Sequence, residues 1–283
     1  MQKQNSTISS PPPFTELHTL VGKYLTKGSD VEGWQLDAME KVPGRFQVYP
    51  FVEHQLVGAN LIYKNQELGL EAKFRWANAW KSWKQYMPHV SYFFIDKGLS
   101  HKVEFNAPVD TLSYTLNHPS ISASWSSELS NKGVSTFNLS TRLCKPVCAG
   151  VSFLYDPIRS GIKDAVALVT YANCQTLAGG DLVAKYALSN GLSLHLRAPV
   201  DPCSSIVVLA ERNRFLAGLH TSLNNSARLI VNANLTDGSC TLTAIRNLRD
   251  IWKVSFTCSL PVLNTGTFRP KYGIKLSNKD VEE

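Results

Sequence analysis

No run among the 283 residues approaches the roughly 18 consecutive apolar positions that a membrane-spanning helix needs. The opening stretch, Met1 to Pro13, has neither the apolar core of a secretory signal nor an Arg-rich amphipathic pattern. It is polar and ends in Pro11-Pro12-Pro13, which favours an extended arm and delays any helix. The six cysteines, Cys144, Cys148, Cys174, Cys203, Cys240 and Cys258, include no C-x-x-C pair, and the Cys144/Cys148 spacing has no matching histidine pair. Most occupy apolar positions of alternating patterns, so they are expected to be small hydrophobes rather than a disulfide framework. The nucleotide-binding glycine motifs, the nucleophile elbow and H-E-x-x-H are all missing. The seven histidines do not share metal-ligand spacing, and the acids fall singly. The sequence therefore predicts no catalytic site, no metal and no cofactor. The net charge of +7 admits anionic partners. No nucleic-acid module accompanies it, so nucleic acid is not expected among them.

One helical pattern is present. Phe14, Leu17, Leu20, Val21, Tyr24 and Leu25 recur at helical spacing, which predicts a helix over 14–25 with Thr15 as its N-cap and a stop at Lys27-Gly28-Ser29-Asp30. Residues 1–29 thus form an arm and a short amphipathic helix, and residues 30–283 form a second, larger unit.

That unit reads as strands and turns throughout. Leu68, Leu70, Ala72, Phe74 and Trp76 alternate with Gly69, Glu71, Lys73 and Arg75. Leu192, Leu194 and Leu196 alternate with Ser193, His195 and Arg197, and Tyr272, Ile274 and Leu276 with Lys271, Lys275 and Ser277. A period of two gives each strand one apolar and one polar face. Asn65-Gln66, Asn117-His118-Pro119, Asn131-Lys132-Gly133, Asn190-Gly191, Asp201-Pro202, Asn224-Asn225, Asp237-Gly238 and Asn264-Thr265-Gly266 punctuate the runs as turns. The partition gives about nineteen strands, with 154–165 and 174–181 dividing ambiguously.

Such strands also occur in soluble sandwiches and propellers. Here the apolar faces have no second layer to bury them, since only one short helix is available. Lipid outside and water inside resolve this, and a bilayer requires every strand edge to be paired. The expected fold is an all-β transmembrane barrel of about nineteen strands with a short N-terminal helix, which must pack against something curved or inside something hollow. Its last strand pairs with the first, over 33–41, and an odd strand count makes that pair parallel. Strand parity points Asp37, Glu71, Glu104 and Glu128 inward in the early barrel as an acidic-leaning sector, with Lys73, Arg75 and Arg142 also pore-lining. Lys185, Arg197, Arg228, Lys253, Lys271 and Lys275 form a basic sector later. The segment Ala77 to His89, where Trp80, Trp83, Tyr86 and Met87 interleave with Lys81 and Lys84, reads either as an amphipathic loop packed on a neighbour or as an interfacial anchor.

Against this background the chain resembles the mitochondrial porin superfamily, which contains the voltage-dependent anion channels and the central pore subunit of the TOM outer-membrane protein translocase. Pro13-Phe14-Thr15-Glu16-Leu17-His18 is similar to the family's helix opening. Val31-Glu32-Gly33-Trp34-Gln35-Leu36 with Phe46-Gln47-Val48 is similar to its first hairpin, and Thr115-Leu116-Asn117-His118-Pro119 to a central turn. Lys185 to Leu192 is like a later hairpin. Lys271, Gly273 and Leu276 fill three positions of the terminal sorting signal, while Asn278 departs from its last hydrophobic position. These matches look most like the TOM channel; Leu25-Thr26-Lys27-Gly28 looks more like the anion channel's helix exit. The resemblance implies that the N-terminal helix lies in the barrel lumen, and that the chain is a mitochondrial outer-membrane channel for unfolded precursor proteins, or alternatively a voltage-dependent anion and metabolite channel. It further implies small single-helix and receptor subunits, lipid contact and homo-oligomers within a complex.

Overall fold

The computed structural model describes residues 11–21, 24, 33–37, 40–41, 46–53, 56–78, 83–130, 133–174, 177–248, 252–262 and 270–278. They form one helix, α1 (Phe14–Thr19), and a closed barrel of nineteen strands. The strands are β1 (Gly33–Asp37, continued by Glu40–Lys41), β2 (Phe46–Glu53), β3 (Leu56–Asn65), β4 (Leu70–Ala77), β5 (His89–Asp96), β6 (Leu99–Asn106) and β7 (Thr111–Asn117). They continue with β8 (Ile121–Glu128), β9 (Ser135–Cys144), β10 (Val147–Asp156), β11 (Gly161–Cys174), β12 (Gly180–Ala187), β13 (Gly191–Pro199) and β14 (Ser204–Glu211). The last five are β15 (Arg214–Asn224), β16 (Ala227–Asn234), β17 (Ser239–Leu248), β18 (Trp252–Pro261) and β19 (Lys271–Asn278). Both pieces of β1 pair with β2 in one unbroken register, Asp37 opposite Phe51 and Glu40 opposite Val48, so they count as one strand.

Chain neighbours pair antiparallel all the way round. The last strand then pairs parallel with the first, Gly33 opposite Gly273 and Asp37 opposite Ser277. This is the geometry an odd number of up-and-down strands demands, and it removes the open edge that Lys271 to Ser277 would otherwise present. The ambiguous segments also resolve. Asp156 ends β10, and β11 runs on from Gly161 as the longest strand, 14 residues, with Asn173 in the left-handed region just before its end.

Outside, the apolar residues of each strand are uncovered: Leu192 is 70% exposed, Ile274 51% and Phe137 46%. A water-soluble protein does not tolerate apolar surface on this scale, whereas lipid is its natural solvent. No helix among the described residues is long and apolar enough to cross a membrane; the crossing is made by strands.

Within the expected span α1 ends at Thr19, Leu20 and Val21 form a turn and Tyr24 is again helical, and the expected cap is displaced. Pro13, not Thr15, is the N-cap, and its carbonyl accepts from the Glu16 and Leu17 amides at 3.0 and 3.1 Å. Proline fixes the backbone torsion ahead of the first turn, so the helix starts one residue beyond it. Residues 22, 23 and 25 of the expected helix lie outside the described residues, as do the Asn131-Lys132 and Asn264-Thr265-Gly266 turns.

Candidate functional site

The helix lies on the strand face that carries the charges, which in a closed barrel facing lipid is the lumen. It is held by two apolar clusters. Phe14 and Leu17 pack on Cys148 and Leu168, with Val166 beside them. Val21 is fully buried among Val183, Val207, Leu209 and Leu216, with Leu20 and Tyr24 against the same group. Burying side chains of this kind contributes about 1.5–3 kcal/mol each. Gly150 makes the first cluster possible. A Cβ there would sit 2.8 Å from the Phe14 ring and 3.2 Å from the Leu139 carbonyl oxygen, so the ring occupies the space a side chain would fill. Polar contacts fix the register: Ser140 donates to the Pro12 carbonyl at 2.7 Å, and Arg197 donates to the Tyr24 hydroxyl at 2.6 Å.

Around the helix the wall carries a charged network. Lys185 donates to Glu211 Oε1 at 3.0 Å, and the His195 Nε2 lies 3.4 Å from the same oxygen. Arg197 is 3.4 Å from Asp181. His18, on the helix, faces this group. Burial, reinforced by the positive charge of Lys185 and opposed by Glu211, lowers its pKa below the usual histidine value.

The sequence-derived pore residues divide between two sectors. In the early barrel Glu71 lies between Lys64 at 3.6 Å and Lys73 at 2.8 Å. Glu104 is 2.8 Å from Lys102 and 3.4 Å from His89. Two of the four acids expected in this sector, Glu71 and Glu104, are thus ion-paired, each with a lysine two residues away on the same face. Arg75 lies over the Phe51 ring, 4.6 Å from its centroid. Glu128 ends β8 and is exposed. Asp37 stands in β1, but its side chain lies outside the described residues.

In the later barrel Arg142 lines a cavity of about 410 Å³ under the helix, with Glu16, Lys145 and Thr170. Arg228 and Lys253 line another of about 450 Å³ with Tyr24, His220 and Asn247, and no carboxylate is among its described lining residues. Lys271 and Lys275 stand on β19 with Gly273 buried between them and Leu276 half-buried on the other parity. Cys144, Cys148, Cys203, Cys240 and Cys258 are free thiols, and Cys148 is the one inside the helix contact.

Sequence reasoning missed His18, Tyr24, Asp181 and Glu211 as one cluster. It also missed the apolar lumen patch that receives Val21. The signal was present in Ile206-Val207-Val208-Leu209, which is apolar on both faces. A lumen strand loses its alternation where something greasy packs inside.

No protein-family model matches the chain, and no curated protein matches its sequence. The fold stands by itself: a porin-like, nineteen-stranded transmembrane barrel of the outer-membrane kind.

Proposed function

We propose that the chain is a protein-conducting channel of the mitochondrial outer membrane, passing unfolded precursors. The observation that carries this is the odd strand number closed by a parallel pair around a lumen helix. Single-chain bacterial barrels are even-numbered, whereas a nineteen-stranded barrel is the mitochondrial type. The lumen chemistry suits a polypeptide in transit. Two of its early acids, Glu71 and Glu104, are paired with neighbouring lysines, which keeps them from forming a deep well for one sequence, and Phe93 and Ile95 on β5 offer exposed apolar contact opposite Lys102 and Ser100. Weak polar contacts and scattered apolar ones let a chain bind and move on. Small single-helix subunits and a receptor would dock on the lipid face. Mild-detergent purification with an arrested precursor tests this: precursor and small helical subunits should co-purify, and their absence would sink the reading.

A second reading, an anion and metabolite channel of the same fold, is favoured by the cavity at Arg228 and Lys253, where two cationic side chains stand on one lumen wall. It predicts anion-selective conductance from the chain reconstituted alone.

A further inference from the structure

Arg75, Arg142, Arg197 and Arg228 stand on the lumen face of their strands. Arg246 stands on the other side of the wall. On β17, Ile245 and Asn247 both line the lumen cavity of Arg228 and Lys253. The pleat turns the residue between them outward, and Arg246 is exposed there with Leu242 and Leu248. Its neighbours on that face are Ala244 and Leu248 along the strand, Ala227 on β16 and Val254 on β18. None of these side chains can accept a hydrogen bond, and no partner for the guanidinium stands among the described residues.

A permanent cation on the lipid face is costly at the bilayer centre and tolerated near the headgroups, where it finds water and anions. Arg246 is two residues from Leu248, which ends β17. In a tilted strand that places it about 5 Å inside the rim, a depth from which a long basic side chain snorkels to the headgroups. Trp252, directly opposite Leu248 on the same face, marks the same level, since indoles collect at the membrane interface. Towards the bilayer centre, exposed Ala244 stands between Leu229 on β16 and Phe256 on β18. A small side chain between two large ones leaves a shallow trough leading away from the arginine. The aromatic and lysine-rich segment over 77–89 belongs to the opposite rim, and its Trp80 and Lys81 lie outside the described residues.

We propose that Arg246 anchors the phosphate of one anionic phospholipid, with an acyl chain of that lipid lying over Ala244 between Leu229 and Phe256. Charge complementarity selects this occupant. Headgroup phosphates are the anions a bilayer supplies at this depth, and a guanidinium can donate to two phosphate oxygens at once. A lipid with net negative charge gains more from the contact than a zwitterionic one, whose own cation competes with the arginine. The proposal rests on the barrel fold alone and is independent of what the pore conducts.

The test uses the full chain in nanodiscs of phosphatidylcholine containing a minor fraction of photoreactive phosphatidic acid or, in parallel, photoreactive phosphatidylcholine, with the diazirine on the acyl chain. Labelled peptides are mapped by mass spectrometry. Phosphatidic acid should label the peptides bearing Ala244 and Phe256 in preference to phosphatidylcholine by about fivefold, the factor expected for one basic side chain at an anionic surface. The peptide bearing Leu192 and Leu194, on a strand with no basic side chain on its lipid face, should show no preference. Arg246→Gln and Arg246→Leu should each abolish the preference, and heat-modified gel mobility certifies that each variant has a folded barrel. Inorganic phosphate, compared with chloride at the same ionic strength, should leave the preference in place. Equal labelling by the two lipids at Ala244 and Phe256 would leave the charge to an acidic side chain of a membrane partner. A preference that survives both variants would belong to another group, and one lost to inorganic phosphate would mark a small-anion site. Each of these three results would overturn the proposal.

Discussion

At the scale of single residues, the contact between Phe14 and Gly150 decides where the helix lies. The side chain that Gly150 lacks is the space the Phe14 ring occupies, and the Leu139 carbonyl behind it is backbone that cannot yield. Gly150→Val is therefore expected to expel the ring and free the N-terminal segment while the barrel persists. Limited proteolysis would show faster cleavage within 14–24 and an intact remainder; cleavage at the wild-type rate would refute the docking described. His18 makes the same contact sensitive to acid. Its pKa is lowered when docked, so the released helix binds a proton more readily than the docked one. Docking is then fully favoured above the ordinary histidine value of about 6.5 and is lost as pH falls through the lower, docked value. Lys185, His195 and Glu211 face His18 from β12, β13 and β14, and of these only Glu211 would welcome its charge. A fluorescent label on the helix should report release on acidification in the wild type, and His18→Gln should flatten that response. A response of equal size in the variant would assign it to another group. Neither contact was legible in the sequence. Phe14 and Gly150 are far apart in the chain, and only the curvature of the closed sheet brings them together.

At the scale of elements, alternation was a faithful guide wherever a strand separates lipid from water. It correctly assigned inward and outward faces from Leu70 to Trp76 and from Leu192 to Arg197, while Leu68 and Gly69 belong to the preceding turn. It failed where the lumen itself is apolar: on β14, Val207 and Leu209 point inward because the helix covers them, and strand parity alone could not separate them from Ile206 and Val208. The same blindness hid Glu211, whose partner Lys185 lies two strands away. The acids of the early barrel were more readable than their expected role. Glu71 and Lys73, like Glu104 and Lys102, are two apart on one strand and so share a face by geometry. The ion pairs follow from spacing, and they offset the acid charge at Glu71 and Glu104. The charge on Glu211 can be tested through conductance. Glu211→Gln removes the one carboxylate between Lys185 and His195, so the reconstituted pore should become more anion-selective. The reversal potential under a salt gradient measures it, and an unchanged potential would mean that this network lies off the ion path.

At the scale of the whole molecule, nineteen strands, a lumen helix and an apolar exterior make one object whose parts explain one another. Lipid accounts for the bare outer face, closure accounts for the satisfied strand edges, and the helix accounts for the apolar patch inside. The odd strand count converts the last strand from an open edge into the partner of the first, and that parallel closure is the central claim. Cysteine cross-linking tests it directly in the folded protein, in a background with the native cysteines replaced. In the parallel register Trp34 stands opposite Ile274 and Leu36 opposite Leu276. The pairs Trp34→Cys with Ile274→Cys and Leu36→Cys with Leu276→Cys should then form disulfides within one chain. The exchanged pairs, Trp34→Cys with Leu276→Cys and Leu36→Cys with Ile274→Cys, should form few. The reverse preference would mean an antiparallel closure, and disulfides only between chains would mean that the barrel does not close on itself.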